Sequence, residues 1–373
     1  MGDSLPQKTK VLICPLNWGL GHASRCIPVI SKLQHAGFEV LVAADGRALA
    51  LLLSECPDLV YIRLPGFSPR FSSGSKLIWK ILSWLPMLSW HTLMEHRTIS
   101  RLVKEHHISV VISDNRFGLF TSKAKCIFIT HQIMIKAPGI LSFAEPILYR
   151  INRFFIQKYD YCWIPDLPGS NNLSGDLSHK FPLPRNAQFI GLLSRFSKNN
   201  LPGSAMNGSL LAILSGPEPQ RTILEKIVLK QLGTLDQAAI IVSGTPENKI
   251  SAKYSNQIAM LAHMKPDELA ETITQAGIVI CRSGYSSLMD LAILGKKAVL
   301  VIPTPGQTEQ EYLAARVHEK GWFNAQNQQC LDLSCAIADA KKCKGIALQT
   351  DDSLLDEQIS LLKKHLIASQ SIR

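Results

Sequence analysis

The stretch LNWGLGHASR (16–25) sets a histidine inside a glycine-rich turn: Gly19, Gly21, His22 and, three residues on, Arg25. Glycines let backbone approach a ligand closely, and the free N–H groups that open a helix favour anions. No Gly-Lys-Ser/Thr follows, so the turn is not built for a triphosphate. It is also a poor dinucleotide fingerprint, because Ser24 stands where a third glycine would. Asp45, at the end of the next strand, keeps that use open. The distinctive group is His22, which at the edge of a sheet could take a proton from a hydroxyl. A plainer use for it is a local cap or packing contact. Asp114 closes the apolar run ISVVISD (108–114) on the same edge. Its carboxylate could orient the imidazole and stabilise its protonated form, or could simply cap the segment that follows.

A second constellation, RSGYSSLMD (282–290), lies where a strand turns into a helix. There Gly284, Ser286 and Ser287 bring N–H groups and hydroxyls to one spot, a natural seat for a diphosphate. Asp290, about two turns along, could accept from sugar hydroxyls. PTPGQTEQEY (303–312) then sets Gln310 and Glu311 side by side at a helix start, suited to paired hydroxyl recognition.

The elements that must position these groups read as two similar halves. VLICPL (11–16), FEVLVAAD (38–45), ISVVISD, KCIFIT (125–130), YDYCWIPD (159–166) and AQFIGLL (187–193) are apolar, strand-like runs. The helical spacing of Ile27, Ile30 and Leu33 falls between the first two. SLLAILSG (209–216), AAIIVSG (238–244), GIVICRSG (277–284) and KAVLVIP (297–303) restart the theme, with a helix at 286–294. Strand, turn, helix, strand is the opening of a parallel α/β sheet. The polar stretch FSKNNLPGSAMNGS (196–209) separates the halves. The expected organisation is a first domain over 1–195, a linker over 196–208 and a second domain over 209–350. An amphipathic helix over 351–373 is expected to cross back to the first domain. The cleft between two such sheets is the expected site.

Charge is uneven. Residues 1–195 carry 22 Lys and Arg against 12 Asp and Glu; residues 196–373 carry 18 against 17. The first half therefore suits something anionic: nucleic acid, a membrane surface or a phosphorylated substrate. Two stretches of this half do not read as sheet. Residues 76–96 hold Trp79, Trp84 and Trp90 around Pro86, and residues 137–158 are apolar and aromatic with Lys136, Arg150, Arg153 and Lys158 among and beside them. Such composition suits an interfacial segment as well as an ordinary core helix. No apolar run is long enough to span a bilayer, and the N-terminus does not read as a signal peptide. Cys14, Cys126, Cys162 and Cys281 sit in apolar runs, as core residues of a reducing compartment do.

The segment VICRSGYSSLMDLAILGKKAVLVIPTPGQTEQEYLAAR (279–316) resembles the nucleotide-sugar motif of the MurG-like, family 28 type glycosyltransferases. The resemblance implies the GT-B fold, α/β with two Rossmann-like domains whose parallel sheets face a central cleft. It places a UDP-sugar donor on the second domain and the acceptor on the first, with no metal and no cofactor. Ser283, Gly284, Ser286 and Ser287 would hold diphosphate, Asp290 the ribose, and Gln310 with Glu311 the sugar. Beside what the resemblance implies, Gly19, Gly21, Arg25 and Arg282 would complete the donor's surroundings, either arginine stabilising the departing UDP, although the family has no arginine at the place of Arg25. His22 and Asp114 would be the catalytic pair. The chain departs from the family in having Asp290 for Glu and Glu311 for a second Gln, which leaves N-acetylglucosamine as a default sugar. The loop GLGHASRC (19–26) is closer to UDP-sugar hydrolases of nonulosonic acid synthesis. The expected function is thus an inverting, metal-independent transferase acting on a lipid-linked or cell-envelope glycan. It would be cytoplasmic, with peripheral contact at an anionic membrane and no nucleic-acid partner. The alternatives are a UDP-sugar hydrolase and a non-enzymatic basic protein that binds membrane or nucleic acid.

Overall fold

A computed structural model of the chain describes residues 9–66, 77–196, 209–235, 237–245, 251–348 and 353–370. Residues 197–208 of the expected linker, and the side chains of Trp79 and Trp84, lie outside the described residues.

The first half runs β1 (Lys10–Pro15), α1 (Leu20–His35), β2 (Glu39–Ala44), α2 (Gly46–Glu55), β3 (Val60–Arg63), α3 (Leu77–Glu105), β4 (Ile108–Asp114), β5 (Lys125–Ile129), α4 (Glu145–Ile156), β6 (Tyr161–Ile164), α5 (Asp176–His179) and β7 (Ala187–Phe189). Its seven strands are parallel, in the order β3-β2-β1-β4-β5-β6-β7. The second half runs β8 (Leu210–Ile213), α6 (Gln220–Leu232), β9 (Ala239–Val242), β10 (Ser251–Lys253), β11 (Ile258–Leu261), α7 (Pro266–Gln275), β12 (Ile278–Cys281), α8 (Tyr285–Ile293), β13 (Val299–Val301), α9 (Thr308–Glu319), β14 (Asn324–Ala325), α10 (Leu333–Ala340) and α11 (Ser353–Gln370). Its order is β10-β11-β9-β8-β12-β13-β14, with β10 alone antiparallel, at the edge. The short strands β3, β10, β11 and β14 escape the sequence reading because their runs are brief or mixed in polarity.

Strands buried on both faces carry continuous β-branched and apolar runs, as β1 and β4 do. In the first sheet Val11, Ile13, Val110 and Ile112 belong to one core, and Leu12, Cys14, Val111 and Phe128 to the other. The first of these cores continues without a break into the second half, through Tyr285, Leu288, Met289 and Leu313. The two halves are thus joined by apolar packing as well as by hydrogen bonds.

Residues 77–96 of the Trp-rich stretch lie in one continuous helix, α3, which runs past Pro86 instead of breaking there. Residues 139–156 form a 3₁₀ turn followed by α4. In α11, Leu355, Ile359, Leu362 and Leu366 are buried at helical spacing. On the first half it meets Lys32 through Asp356 at 2.6 Å and Tyr161 through His365 at 2.6 Å.

The strand orders place a reversal between β1 and β4 and another between β8 and β12, and at such points loops part to leave a crevice at the strands' carboxyl ends. Both crevices open toward the same cleft.

Candidate active site

Register assembles the first-half wall. Pro15 pairs with Asp114, and Asp114 with Ile129, so the turn after β1, the end of β4 and the residues after β5 share one edge. His22 and Arg25 lie on the first turns of α1, three residues apart and hence on one face, which is turned to Asp114. The imidazole Nδ1 of His22 is 3.2 Å from Asp114 Oδ2 and 2.9 Å from Arg25 Nη2. Arg25 grips the same carboxylate: its Nε donates to Oδ2 at 2.9 Å, and its Nη2 makes a close contact with Oδ1. Arg25 is 2% exposed and Asp114 fully buried. Burial alone would raise the carboxyl's pKa, but the Arg25 charge and then His22 hold it down at about 2.

Arg25 therefore does not reach for a donor phosphate, contrary to the expectation from sequence. Its remaining amino group, Nη1, lies 3.0 Å from Nδ1 of His131, a residue the sequence reading did not single out. His131 follows β5 directly and is buried. Its ring stacks flat on that of Tyr285, with centroids 4.0 Å apart and planes 3° from parallel. Its Nε2 meets Glu309 Oε1 of α9, across the cleft, at 2.7 Å. Gln132 also donates to Glu309. Burial pushes the His131 pKa down, and the Arg25 charge adds to that against the pull of Glu309. The sequence signal that could have found His131 is its place after a central strand, on the same edge as His22 and Asp114.

The second-half wall is of a different kind. Cys281 pairs with Val301, so the turns after β12 and β13 lie side by side. Gly284 is the N-cap of α8, which leaves the helix's first N–H groups at the cleft. Ser286 Oγ donates to the Gly21 carbonyl at 2.8 Å. The two walls touch here: a Cβ on Gly21 would stand 3.0 Å from that hydroxyl, a tight fit that the serine would have to give way to. Ser283 Oγ donates to the Gln310 carbonyl at 2.8 Å, while Ser287 lies one turn into the helix.

Three expected contributors point elsewhere. Arg282 is 1% exposed, and its guanidinium donates to the carbonyls of Ile302, Pro303 and Gln220. It braces the turns after β12 and β13 and does not face the cleft; burial lowers its pKa to about 10. Glu311 is exposed and accepts from the Gly306 N–H at 2.8 Å. Gln310 accepts from the Thr304 N–H at 2.9 Å, so both tie down the loop that precedes α9. The carboxylate that this helix turns into the cleft is Glu309. At about 100° per residue, Glu311 falls roughly on the opposite face from it. Asp290 accepts from Ser194 Oγ at 2.6 Å near the point where the chain leaves the first half. Burial raises its pKa to about 6, against Arg195 and the Ser194 bond. Asp45 pairs with Arg63 at 3.1 Å, which answers its dinucleotide use with a surface ion pair.

Further contacts shut the cleft. Arg316 donates to Asn172 and Leu173 carbonyls, Thr308 to the Lys136 carbonyl at 2.8 Å, and the Asp176 N–H to the Tyr312 hydroxyl at 2.6 Å. Gly175, at φ +56°, lies where any side chain would collide with Tyr312 and Arg316.

Comparison with known proteins fits this layout. Residues 218–351 match the glycosyltransferase family 28 C-terminal domain. The chain is 22% identical over 339 residues to an uncharacterised glycosyltransferase of Methanosarcina acetivorans, covering 84% of this chain and 82% of that one. Among solved structures, the spinosyn rhamnosyltransferase SpnG complexed with thymidine diphosphate superposes with a TM-score of 0.60 at 15% identity, covering 96% of each chain. Acinetobacter baumannii MurG superposes with a TM-score of 0.50 at 13% identity, covering 96% of this chain and 95% of that one. Residues 218–351 thus match the glycosyltransferase family 28 C-terminal domain, and the chain is a glycosyltransferase with the GT-B fold.

Proposed function

We propose that the chain transfers a sugar from a UDP-sugar, with N-acetylglucosamine as the default, to a hydroxyl of a lipid-linked or cell-envelope glycan, with inversion and without a metal. The observation that carries this reading is the meeting of unlike walls. His22, with Nδ1 between Asp114 and Arg25, stands beside the Gly21 carbonyl that Ser286 of the α8 N-terminus touches. A diphosphate at that N-terminus would be held by free N–H groups and the helix dipole. The acceptor hydroxyl would give its proton to His22 Nε2 while Nδ1–H donates to Asp114. Its oxygen would bond to the anomeric carbon from the face opposite the diphosphate, as the bond from that carbon to the diphosphate oxygen breaks. Negative charge grows on the leaving group, where the α8 N–H groups lie.

An acceptor carried on lipid suits the outer surface of the first half. Ile147, Ile151 and Phe154 form an exposed row on α4, beside Phe143 at 75% exposure, with Arg150 and Lys158 exposed next to them. Met87, Trp90 and Leu93 are exposed along α3. An anionic bilayer interface matches such a combination of apolar and basic groups. Among the described residues, no helix is long and apolar enough to cross a membrane.

The reading is tested by thermal shift across UDP-, GDP- and dTDP-sugars, followed by nucleotide release with and without a polyprenyl-linked sugar acceptor. Stabilisation by a UDP-sugar, with release that depends on acceptor, is the expected result. Equal release into water alone would instead support the hydrolase suggested by the loop pattern GLGHASRC. Stabilisation by none of the donors would remove the transferase reading.

A further inference from the structure

The proposed chemistry needs a bare nitrogen on His22, and the geometry shows a competitor for it. Arg25 Nη2 carries two protons. One goes to Asp114 Oδ1, and the other is available to His22 Nδ1, 2.9 Å away. A proton on Nδ1 would meet this N–H head-on. In the arrangement seen, Nδ1 therefore accepts, and a neutral ring carries its proton on Nε2. From there His22 can donate a hydrogen bond but cannot take a proton. Asp114 Oδ2, at 3.2 Å, is the alternative partner, and it already accepts from Arg25 Nε at 2.9 Å.

We infer that Arg25 is a positioning residue that decides which ring nitrogen of His22 bears the proton, and that through His131 it ties this choice to Glu309 across the cleft. The inference rests on His22 as the base of the proposed function. The chain of bonds is continuous. Arg25 Nη1 donates to His131 Nδ1 at 3.0 Å, which leaves the single proton of a neutral His131 on Nε2, where it donates to Glu309. The groups packed around Arg25 are His22 and Cys26 from α1, Asp114 from β4, His131 after β5, and Glu309 beyond it from α9. While Glu309 holds His131, the guanidinium is fixed at both ends and His22 stays a donor. A cleft occupant that takes up Glu309 frees His131. Arg25 can then turn from Nδ1, the His22 proton passes to the Asp114 side, and the Nε2 lone pair faces the acceptor. An empty, closed enzyme is in this way kept from activating water.

The test needs no substrate. Full-length protein labelled with ¹⁵N in its histidine rings is examined by long-range proton–nitrogen correlation, with the His22 signals assigned by their loss in His22→Gln. In the wild type, Nε2 is expected to bear the proton. In Arg25→Met and Arg25→Lys the proton should move to Nδ1. The lysine variant keeps a charge beside buried Asp114, and with it the fold, but lacks the rigid fork that points one N–H at His22 while another nitrogen holds His131. A wild-type spectrum with the proton on Nδ1, or the same tautomer in wild type and Arg25→Lys, overturns the inference. Calorimetric titration with UDP provides the second arm. Affinity in Arg25→Lys within about twofold of wild type is expected of a residue that only positions, whereas tenfold weaker binding would make it a diphosphate ligand and overturn the proposal. His22→Ala that leaves nucleotide release unchanged would sink the base assignment alone, leaving the tautomer result intact.

Discussion

The two walls of the cleft sit at equivalent places in similar sheets yet are built from opposite materials. On the first-half wall four ionisable side chains, His22, Arg25, Asp114 and His131, interlock at the ends of β1, β4 and β5. On the second-half wall the end of β12 offers hydroxyls and helix N–H groups, and the guanidinium of Arg282 faces inward to carbonyls. A wall of coupled proton carriers suits the movement of a proton. The turn after β12, with its hydroxyls and helix N-terminus, suits the reception of an anion without itself being protonated. Under the proposed function, this difference gives removal of the proton to the first half of the chain and reception of the leaving group to the second.

The comparison breaks first if the proton-handling wall is dispensable. His22→Ala should lower kcat by about 10²–10⁴-fold, the usual span for a positioned general base, with UDP binding unchanged. Asp114→Ala goes further into the fold. It leaves Arg25 buried without its carboxylate, so unfolding by urea should show a loss of about 3–5 kcal/mol, together with loss of turnover. Stability near the wild-type value would mean that the ionic cluster is not holding this wall together.

Asp290 sharpens the contrast from the other side, and its expected effect is smaller. Its folded pKa, about 6, lies above the ordinary value of 3.8, so the folded state holds the proton more tightly than the unfolded chain does. Stability attached to that proton is present in full below pH 3.8 and is lost as pH rises through 6. Asp290→Asn should therefore stabilise the protein at pH 8 by about 1–3 kcal/mol, the gain shrinking toward pH 4, as followed by thermal melts across pH. A gain that is constant with pH would contradict the assignment. Smallest is the surface effect: Arg150→Glu should weaken sedimentation with anionic vesicles by an amount on the order of 1 kcal/mol per charge, leaving UDP binding untouched. No change with vesicles would remove α4 from the membrane contact.

The turn after β12 was the more legible in sequence because its parts are local: Ser283, Gly284 and Ser286 are neighbours in the chain. What sequence misjudged on the second-half wall was helix phase. Glu309 and Glu311 are two residues apart, and only the coordinates say which of them α9 turns inward. On the first-half wall, His22 and Asp114 could be paired because the turn after β1 and the end of β4 share one edge. His131 carried the same signal less visibly, since no glycine marks its turn. Arg25 was misread for a physical reason. An arginine awaiting a phosphate and one already buried on a carboxylate look identical in sequence; burial and the 2.9 Å bond to Asp114 separate them. The antiparallel edge strand β10 and the two-residue β14 are too short to show a period.

The division of labour is tested most directly by titrating UDP calorimetrically into wild type, His22→Ala and Ser286→Asp. The aspartate puts a negative charge where the diphosphate is expected, while still suiting the helix N-terminus itself. His22→Ala should bind UDP as the wild type does, and Ser286→Asp at least about tenfold more weakly, a difference near 1.4 kcal/mol. Equal affinities in all three, or a loss confined to His22→Ala, would contradict it.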